Sequence, residues 1–505
     1  MQLRKLLDSP SGLRFMIDNL CTHSSYSRKI MLESSMMYDK NSIEKSYAVL
    51  KEFYHVVEND ENKNVIQTSS VVTEPVEGTM SGASTSSATV YIRTLQHKLC
   101  NLKDINNSIS RLANSVVLDD IELYEVKNLA LLAADVKNIL EKISLDNVIE
   151  IPDLEDVVKI LDPDGLRIAT FYIYDSYSEE LAALRKKLKE KEIYQEEIYN
   201  RVVEVEDEIR AELSNKLKPH SAAMTSALNA LAMIDINVAK SLQIKEMGLC
   251  FPTLSSDKVA SYKKMFHPEV KDILDKEKRE YQKVDISFGL KPLIIMGANM
   301  GGKTIVLKTL AMCQYLLQFG FGIPAESADM MIYDEIFCLT TDDQSINKGL
   351  SSFAAEMKNI DAVIKSAIRS CPRTDDVYIV SSSTDDVYIV SSNRIFALID
   401  EPARTTNPTE GTALVSSLVK LLQDKEMSLV IVTHYNIKTY NNKCLRVKGL
   451  IDGKMNYELV ETHEGEVPHE ALNIAESLGI DSQWIEMAKE EMEVVSNNVD
   501  ILNIC

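Results

Sequence analysis

Long apolar runs are missing from this 505-residue chain. No stretch approaches the ~18 uninterrupted apolar residues of a membrane span, and the opening MQLRKLLDSPSG has no apolar region of the kind a signal peptide needs. Paired cysteines are missing too. The cysteines at 21, 100, 250, 313, 338, 371, 444 and 505 include no C-x-x-C, so neither a disulfide framework nor a cysteine zinc site is expected. A surplus of positive charge is also absent. Lys and Arg number 55 against 76 Asp and Glu, a formal net charge of −21, which argues against a constitutively basic nucleic-acid surface but leaves room for a local one. The expectation is a cytosolic protein with free thiols and no membrane association. Its composition, 45% hydrophobic and 26% charged, is that of an ordinary globular chain with room for about two to four cores.

What is present centres on Leu293 to Thr309, LIIMGANMGGKTIVLKT. Leu293, Ile294, Ile295 and Met296 read as a short buried strand, and they run into Gly297, Ala298, Asn299, Met300, Gly301, Gly302, Lys303 and Thr304, a complete G-x-x-x-x-G-K-[ST] phosphate loop. The glycines let backbone N–H groups turn inward around phosphate oxygens, and a helix opening near Lys303 adds the positive end of its dipole. Lys303 is expected on the β and γ phosphates of ATP, and the Thr304 hydroxyl on Mg²⁺.

Around that loop the chain divides by periodicity. Residues 1–57 carry helically spaced apolar residues, and 59–88 (within it SSVVTEPVEGTMSGASTSSA) reads as a flexible linker or a short strand, making 1–95 a small helical segment with its linker. From 96 to 250 helical spacing returns, including an Asp119-Asp120 start. The stripe from Ser178 to Leu217 predicts an extended helix that Pro219 ends, with 222–242 returning beside it: a hairpin over 178–242, of about 50 Å at ~1.5 Å per residue, acting as a spacer or a moving arm. After Pro252 the pattern becomes alternating strand and helix to about residue 460. A tandem duplication lies within it, TDDVYIVSSS at 374–383 and TDDVYIVSSN at 384–393, whose extra copy is expected near a sheet edge.

The partners of a phosphate loop follow in order. Arg394-Ile-Phe-Ala-Leu-Ile399 is a buried-strand pattern ending in Asp400-Glu401, a Walker B arrangement in which Asp400 holds Mg²⁺ and Glu401 polarises the attacking water. Leu429-Val-Ile-Val432 is a second buried strand that delivers Thr433-His434 to the edge where ligands gather. There His434 either senses the γ-phosphate or serves as a surface or capping residue. Ser351 and Ser352, before an amphipathic helix, are either an N-cap or an anion site.

Together GANMGGKTIVLKT, FGIPAESADMMIYDEIFCLTTDDQSINKGLSSFAAEM, FALIDEPARTTNPTEGTALV and IVTHY resemble the C-terminal ATPase of the MutS family, an ABC-type ATPase. The likeness covers about 285–490, extends weakly over 97–250, and includes VPHEALNIAESLGIDSQWIEMAKEEME, similar to the family's C-terminal dimerisation helices. It implies an α/β P-loop ATPase domain over 251–462, preceded by an all-α core and lever domain over 96–250 and followed by a dimerisation segment over 463–505. It implies a homodimer or heterodimer with composite sites, Ser351 or Ser352 reaching the γ-phosphate from the other subunit, closing on ATP and opening after hydrolysis. Departures accompany the likeness. Nothing before residue 97 resembles the family's mismatch-reading domain, no C-terminal nuclease domain is recognisable, Ala298 stands where proline is usual, and PARTTNP follows the acids in place of a glycine-containing turn. Two targets follow: DNA structure, without mismatch reading, or an adenosylcobalamin-dependent aminomutase reactivated by a MutS-related partner.

Overall fold

The computed structural model describes residues 1–68, 87–168, 170–190, 196–297, 302–340, 352–369, 394–451, 454–462 and 480–490. Helices come first: α1 (Leu13–Asp18), α2 (Ser25–Glu33), α3 (Lys40–Thr68), α4 (Ser87–Leu99), α5 (Asn106–Ala113), α6 (Asp120–Lys142), α7 (Glu155–Leu161), α8 (Glu179–Glu190), α9 (Glu196–Leu217) and α10 (Ser221–Met247). The chain then alternates through β1 (Thr253–Leu254), β2 (Val259–Met265), α11 (Pro268–Lys276), β3 (Val284–Gly289), β4 (Leu293–Met296), α12 (Lys303–Gln318), β5 (Ser327–Met330), β6 (Glu335–Leu339), α13 (Ser352–Arg369), β7 (Ile395–Asp400), α14 (Pro408–Leu422), β8 (Met427–Thr433), β9 (Lys443–Ile451) and β10 (Lys454–Glu461). A further helical stretch occupies 482–490. The duplicated segment 374–393 lies outside the described residues.

Local chemistry accounts for several boundaries. At α6 the Asp119 carboxylate accepts the Glu122 N–H at 2.8 Å while Glu122 accepts the Asp119 N–H at 3.1 Å, so two otherwise orphaned donors are satisfied at once. Helix α3 continues through 59–68 of the stretch expected as a linker, and α4 begins at Ser87.

Six strands form one sheet in the order β10-β9-β4-β8-β7-β6, parallel from β9 to β6 with β10 antiparallel at one edge. Its strands alternate sides with period two. Leu293, Ile295, Phe396, Leu398, Val430 and Val432 face a core containing α12, while Ile294, Met296, Ile395, Ile399, Leu429 and Ile431 face the side chains of α13 and α14. Both faces are covered, which is why these strands read as unbroken apolar runs. A second sheet, β1-β5-β2-β3, joins the α12 side. So do Leu3, Leu13, Met16, Ile43 and Leu50, which share that core with Ile236 and Ala239 of α10. The first fifty residues are thus built into the α/β body.

The long hairpin expected over 178–242 does not form as drawn. Helix α8 packs against α9, with Arg201 Nε 2.8 Å from Glu180 Oε1 and Arg185 Nη2 2.8 Å from Glu206 Oε1. In a single straight helix residues 180 and 201 would be ~31 Å apart, so 178–217 is two helices whose apolar stripes face the helical core. Nor does the chain turn back at Pro219. Helix runs from Glu196 to Met247, 52 residues, interrupted only by a 3₁₀ turn at Lys218–His220. Proline is tolerated at the start of a helical turn, where its missing N–H would find no partner. Ser221 closes the turn by donating its hydroxyl to Lys218 O at 2.7 Å. Part of this helix is long and apolar enough to cross a membrane, but 67% of that window is buried inside the protein, as in a core helix.

Helix α10 also grips the far end of α12. Buried Lys240 donates to Phe319 O and Gly320 O, both at 2.9 Å, and lies 4.0 Å from the Phe321 ring centroid. Burial pulls its pKa down to about 7. An unfolded lysine titrates near ~10.4, so between those values the unfolded chain holds a proton that the folded chain releases, and stability rises with pH. Denaturant titrations of the wild type and Lys240→Met at about pH 7 and about pH 9.5 should show the wild type gaining on the variant at the higher pH. An unchanged difference would mean that Lys240 keeps one charge throughout.

Candidate functional site

The carboxyl ends of β4, β7 and β8 are in register, Met296 opposite Thr433 and Asp400 opposite Val432, so the residues after them emerge along one edge of the sheet. Such an edge is where an open parallel sheet binds its ligands. Gly297, directly after β4, has φ +133, and Gly302, the N-cap of α12, has φ +69, where a side chain would be strained. A Cβ at Gly302 would also sit 3.3 Å from the Tyr457 ring. Ala298, Asn299, Met300 and Gly301 lie outside the described residues. Lys303 is buried and donates from Nζ to Gly297 O at 2.7 Å.

Thr304 meets the strand acids directly. Its hydroxyl donates to Asp400 Oδ2 at 2.9 Å, whereas Asp400 Oδ1 is buried with no hydrogen-bond partner among the described residues. Burial pushes the Asp400 carboxyl up from its ordinary pKa; the Thr304 bond opposes this and the neighbouring Glu401 charge adds to it. An orphaned carboxylate oxygen beside a threonine hydroxyl is a donor set that fits Mg²⁺, which keeps several ligands as water and phosphate oxygen. Among the described residues no cluster of three or more His, Cys, Asp or Glu could enclose a metal.

Glu401 is buried, with φ +46 and its N–H on Val432 O at 2.9 Å. Its carboxylate has His434 Nδ1 at 3.9 Å on one oxygen and Arg404 Nη1 at 3.5 Å on the other. The fold therefore gathers Gly297, Gly302, Lys303, Thr304, Asp400, Glu401 and His434. Ser351 lies outside the described residues, and Ser352 is placed only as the first residue of α13.

Sequence reading passed over three contributors. Glu356 of α13 accepts the Ala403 N–H at 2.8 Å. Tyr435 donates its hydroxyl to Ala403 O at 2.8 Å and lies where a Cβ on Gly411 would be 2.5 Å from its ring. Arg404 is the third. Glu356 and Tyr435 stand inside stretches already singled out, AAEM and THY, but nothing local signals a bond to a turn dozens of residues away.

Fold and edge together define a mixed α/β domain whose glycine loop, acid pair and histidine converge at the ends of three parallel strands. Residues 293–491 match the family model described as MutS domain V. Relatives include Endonuclease MutS2 of Caldicellulosiruptor bescii, 32% identical over 296 residues, which is 56% of this chain and 33% of that protein. The Endonuclease MutS2 of Enterococcus faecalis is 30% identical over 303 residues, 58% of this chain and 34% of that protein. That of Lacticaseibacillus casei is 28% identical over 328 residues, 63% and 37% respectively. The chain thus spans about a third of the length of these relatives.

Proposed function

We propose that the edge formed by β4, β7 and β8 binds and hydrolyses ATP with Mg²⁺, and that hydrolysis drives a MutS-family dimer acting on DNA. The single observation that carries this reading is the contact of Thr304 with Asp400 beside an unpartnered, buried Asp400 Oδ1. Thr304 and Asp400 hold the cation, which when bound draws negative charge from the phosphates. Lys303 exchanges the Gly297 carbonyl for β and γ phosphate oxygens, and the start of α12 directs its free N–H groups to the same anion. Glu401 orients and polarises the attacking water, accepting its proton as the new bond to the γ-phosphorus forms and the bond to the bridging oxygen breaks, releasing ADP. His434, close to that carboxylate, donates toward the γ-phosphate. Ser352, or Ser351, closes the site from a second copy or a related subunit, so occupancy of the site and association are linked. The placement is cytosolic.

DNA is the target favoured by relatives named Endonuclease MutS2, and the matches lend no support to the aminomutase alternative. With a net charge of −21, DNA contact must come from a small basic surface, so affinity falls steeply with salt. The test is ATP turnover at about 150 mM salt with linear duplex or a four-way junction added. Stimulation of turnover by either DNA is expected. Unchanged turnover with both, alongside normal basal hydrolysis, would remove the DNA-acting reading and leave the ATPase.

A further inference from the structure

The turn after Glu401 is held from two sides by groups that the proposed chemistry does not use. Ala403 donates its N–H to Glu356 Oε1 and accepts the Tyr435 hydroxyl on its carbonyl, each at 2.8 Å. The turn needs holding. Glu401 and Ala403 have φ of +46 and +63, left-handed conformations that are strained for a residue with a Cβ. Such backbone persists only where its surroundings over-determine it. Ala403 and Tyr435 are buried, Tyr435 is seated against Gly411 of α14, and Glu356 is half-buried. Glu356 also stands one helical turn along α13 from Ser352, so the same helix carries the serine and the acceptor.

We infer that Glu356 is a positioning residue for hydrolysis: by accepting the Ala403 amide it fixes the left-handed turn and hence the direction of the Glu401 carboxylate, coupling that direction to α13. The inference rests on Glu401 being the group that orients water. Tyr435 is the second arm of the clamp, holding the next peptide unit through the Ala403 carbonyl. What Glu356 contributes is an acceptor oxygen, not a charge, so glutamine can replace it and alanine cannot. Loss of the acceptor frees Glu401 to point away from the water without altering the phosphate loop, which separates turnover from binding.

The experiment compares the full chain with Glu356→Gln, Glu356→Ala and Tyr435→Phe, reading kcat, KM for ATP, and hydrogen exchange of the Ala403 amide. Glu356→Ala should lower kcat by about tenfold or more with KM within about threefold, while Glu356→Gln stays within about threefold of the wild type. Exchange at Ala403 should quicken by at least about tenfold in Glu356→Ala and stay slow in Glu356→Gln. Tyr435→Phe should lower kcat in the same sense as Glu356→Ala. Three outcomes overturn the inference: unchanged kcat in Glu356→Ala, a Glu356→Gln variant as slow as Glu356→Ala, or slow exchange at Ala403 in both. A wild type that does not turn over ATP would instead remove the role given to Glu401, and amide exchange would still decide whether Glu356 holds the turn.

Discussion

Glutamine in place of Glu401 should leave ATP affinity within about threefold of the parent and slow single-turnover hydrolysis by ~100-fold or more. The substitution keeps the shape of a buried side chain whose oxygens lie 3.9 Å from His434 Nδ1 and 3.5 Å from Arg404 Nη1, and removes its ability to take a proton. Nothing in the contacts of Lys303 with Gly297 or of Thr304 with Asp400 depends on that proton. Binding and chemistry therefore separate. A single-turnover rate within about threefold of the parent would mean that Glu401 does not orient the water.

Asparagine in place of Asp400 should do the opposite to binding, and it should raise the stability of the protein without nucleotide. The sign follows from the direction of the pKa shift. Burial raises the folded carboxyl above its unfolded value, so the folded state favours the proton, and stability falls as pH rises through the folded pKa. Wherever the carboxyl is ionised, its buried, half-satisfied charge is a cost that asparagine removes. The same substitution deletes the anionic ligand proposed for Mg²⁺. Wild-type protein with Mg²⁺ and ATP at a hundredfold excess over Kd should gain about 2.7 kcal/mol. Thermal melts should show Asp400→Asn starting higher and shifting little when Mg²⁺ and ATP are added. A variant that starts lower and shifts as far as the wild type would contradict both the cost and the ligand role.

The parts of this site that sequence makes legible are those whose chemistry is local. The glycines of the proposed phosphate loop, the lysine and threonine after them, and the acids at the end of β7 each follow a run of buried residues, and a strand covered on both faces has to be written as such a run. The order of those strands was not legible. That β8 separates β4 from β7 depends on β4 pairing with β8 from far along the chain, Leu293 opposite Val430, and no spacing encodes it. The same holds for Glu356 and Ala403, 47 positions apart in sequence and joined by one hydrogen bond.

Two misread elements show why local rules can fail. The proline at 219 was expected to end a helix, yet what proline forbids depends on whether its missing N–H and its ring fall inside a turn or at the start of one. Here a 3₁₀ turn supplies the start. The apolar stripe over 178–217 fits one long helix and two packed ones equally well, because both present the same residues to a core. What distinguishes them is a set of charge pairs between helices, Arg201 with Glu180 and Arg185 with Glu206, that becomes visible only once the chain has folded. The consequence for function is that the long rigid element is not a free hairpin but the 196–247 helix, anchored to the end of α12 by Lys240.

Phosphate release from ATP by the purified chain, measured with Mg²⁺ and again after chelation, is the most direct test of the site. Turnover that requires Mg²⁺ and stops on chelation is expected if Thr304 and Asp400 hold the cation against the phosphates. No turnover under either condition, or turnover indifferent to chelation, would contradict that assignment.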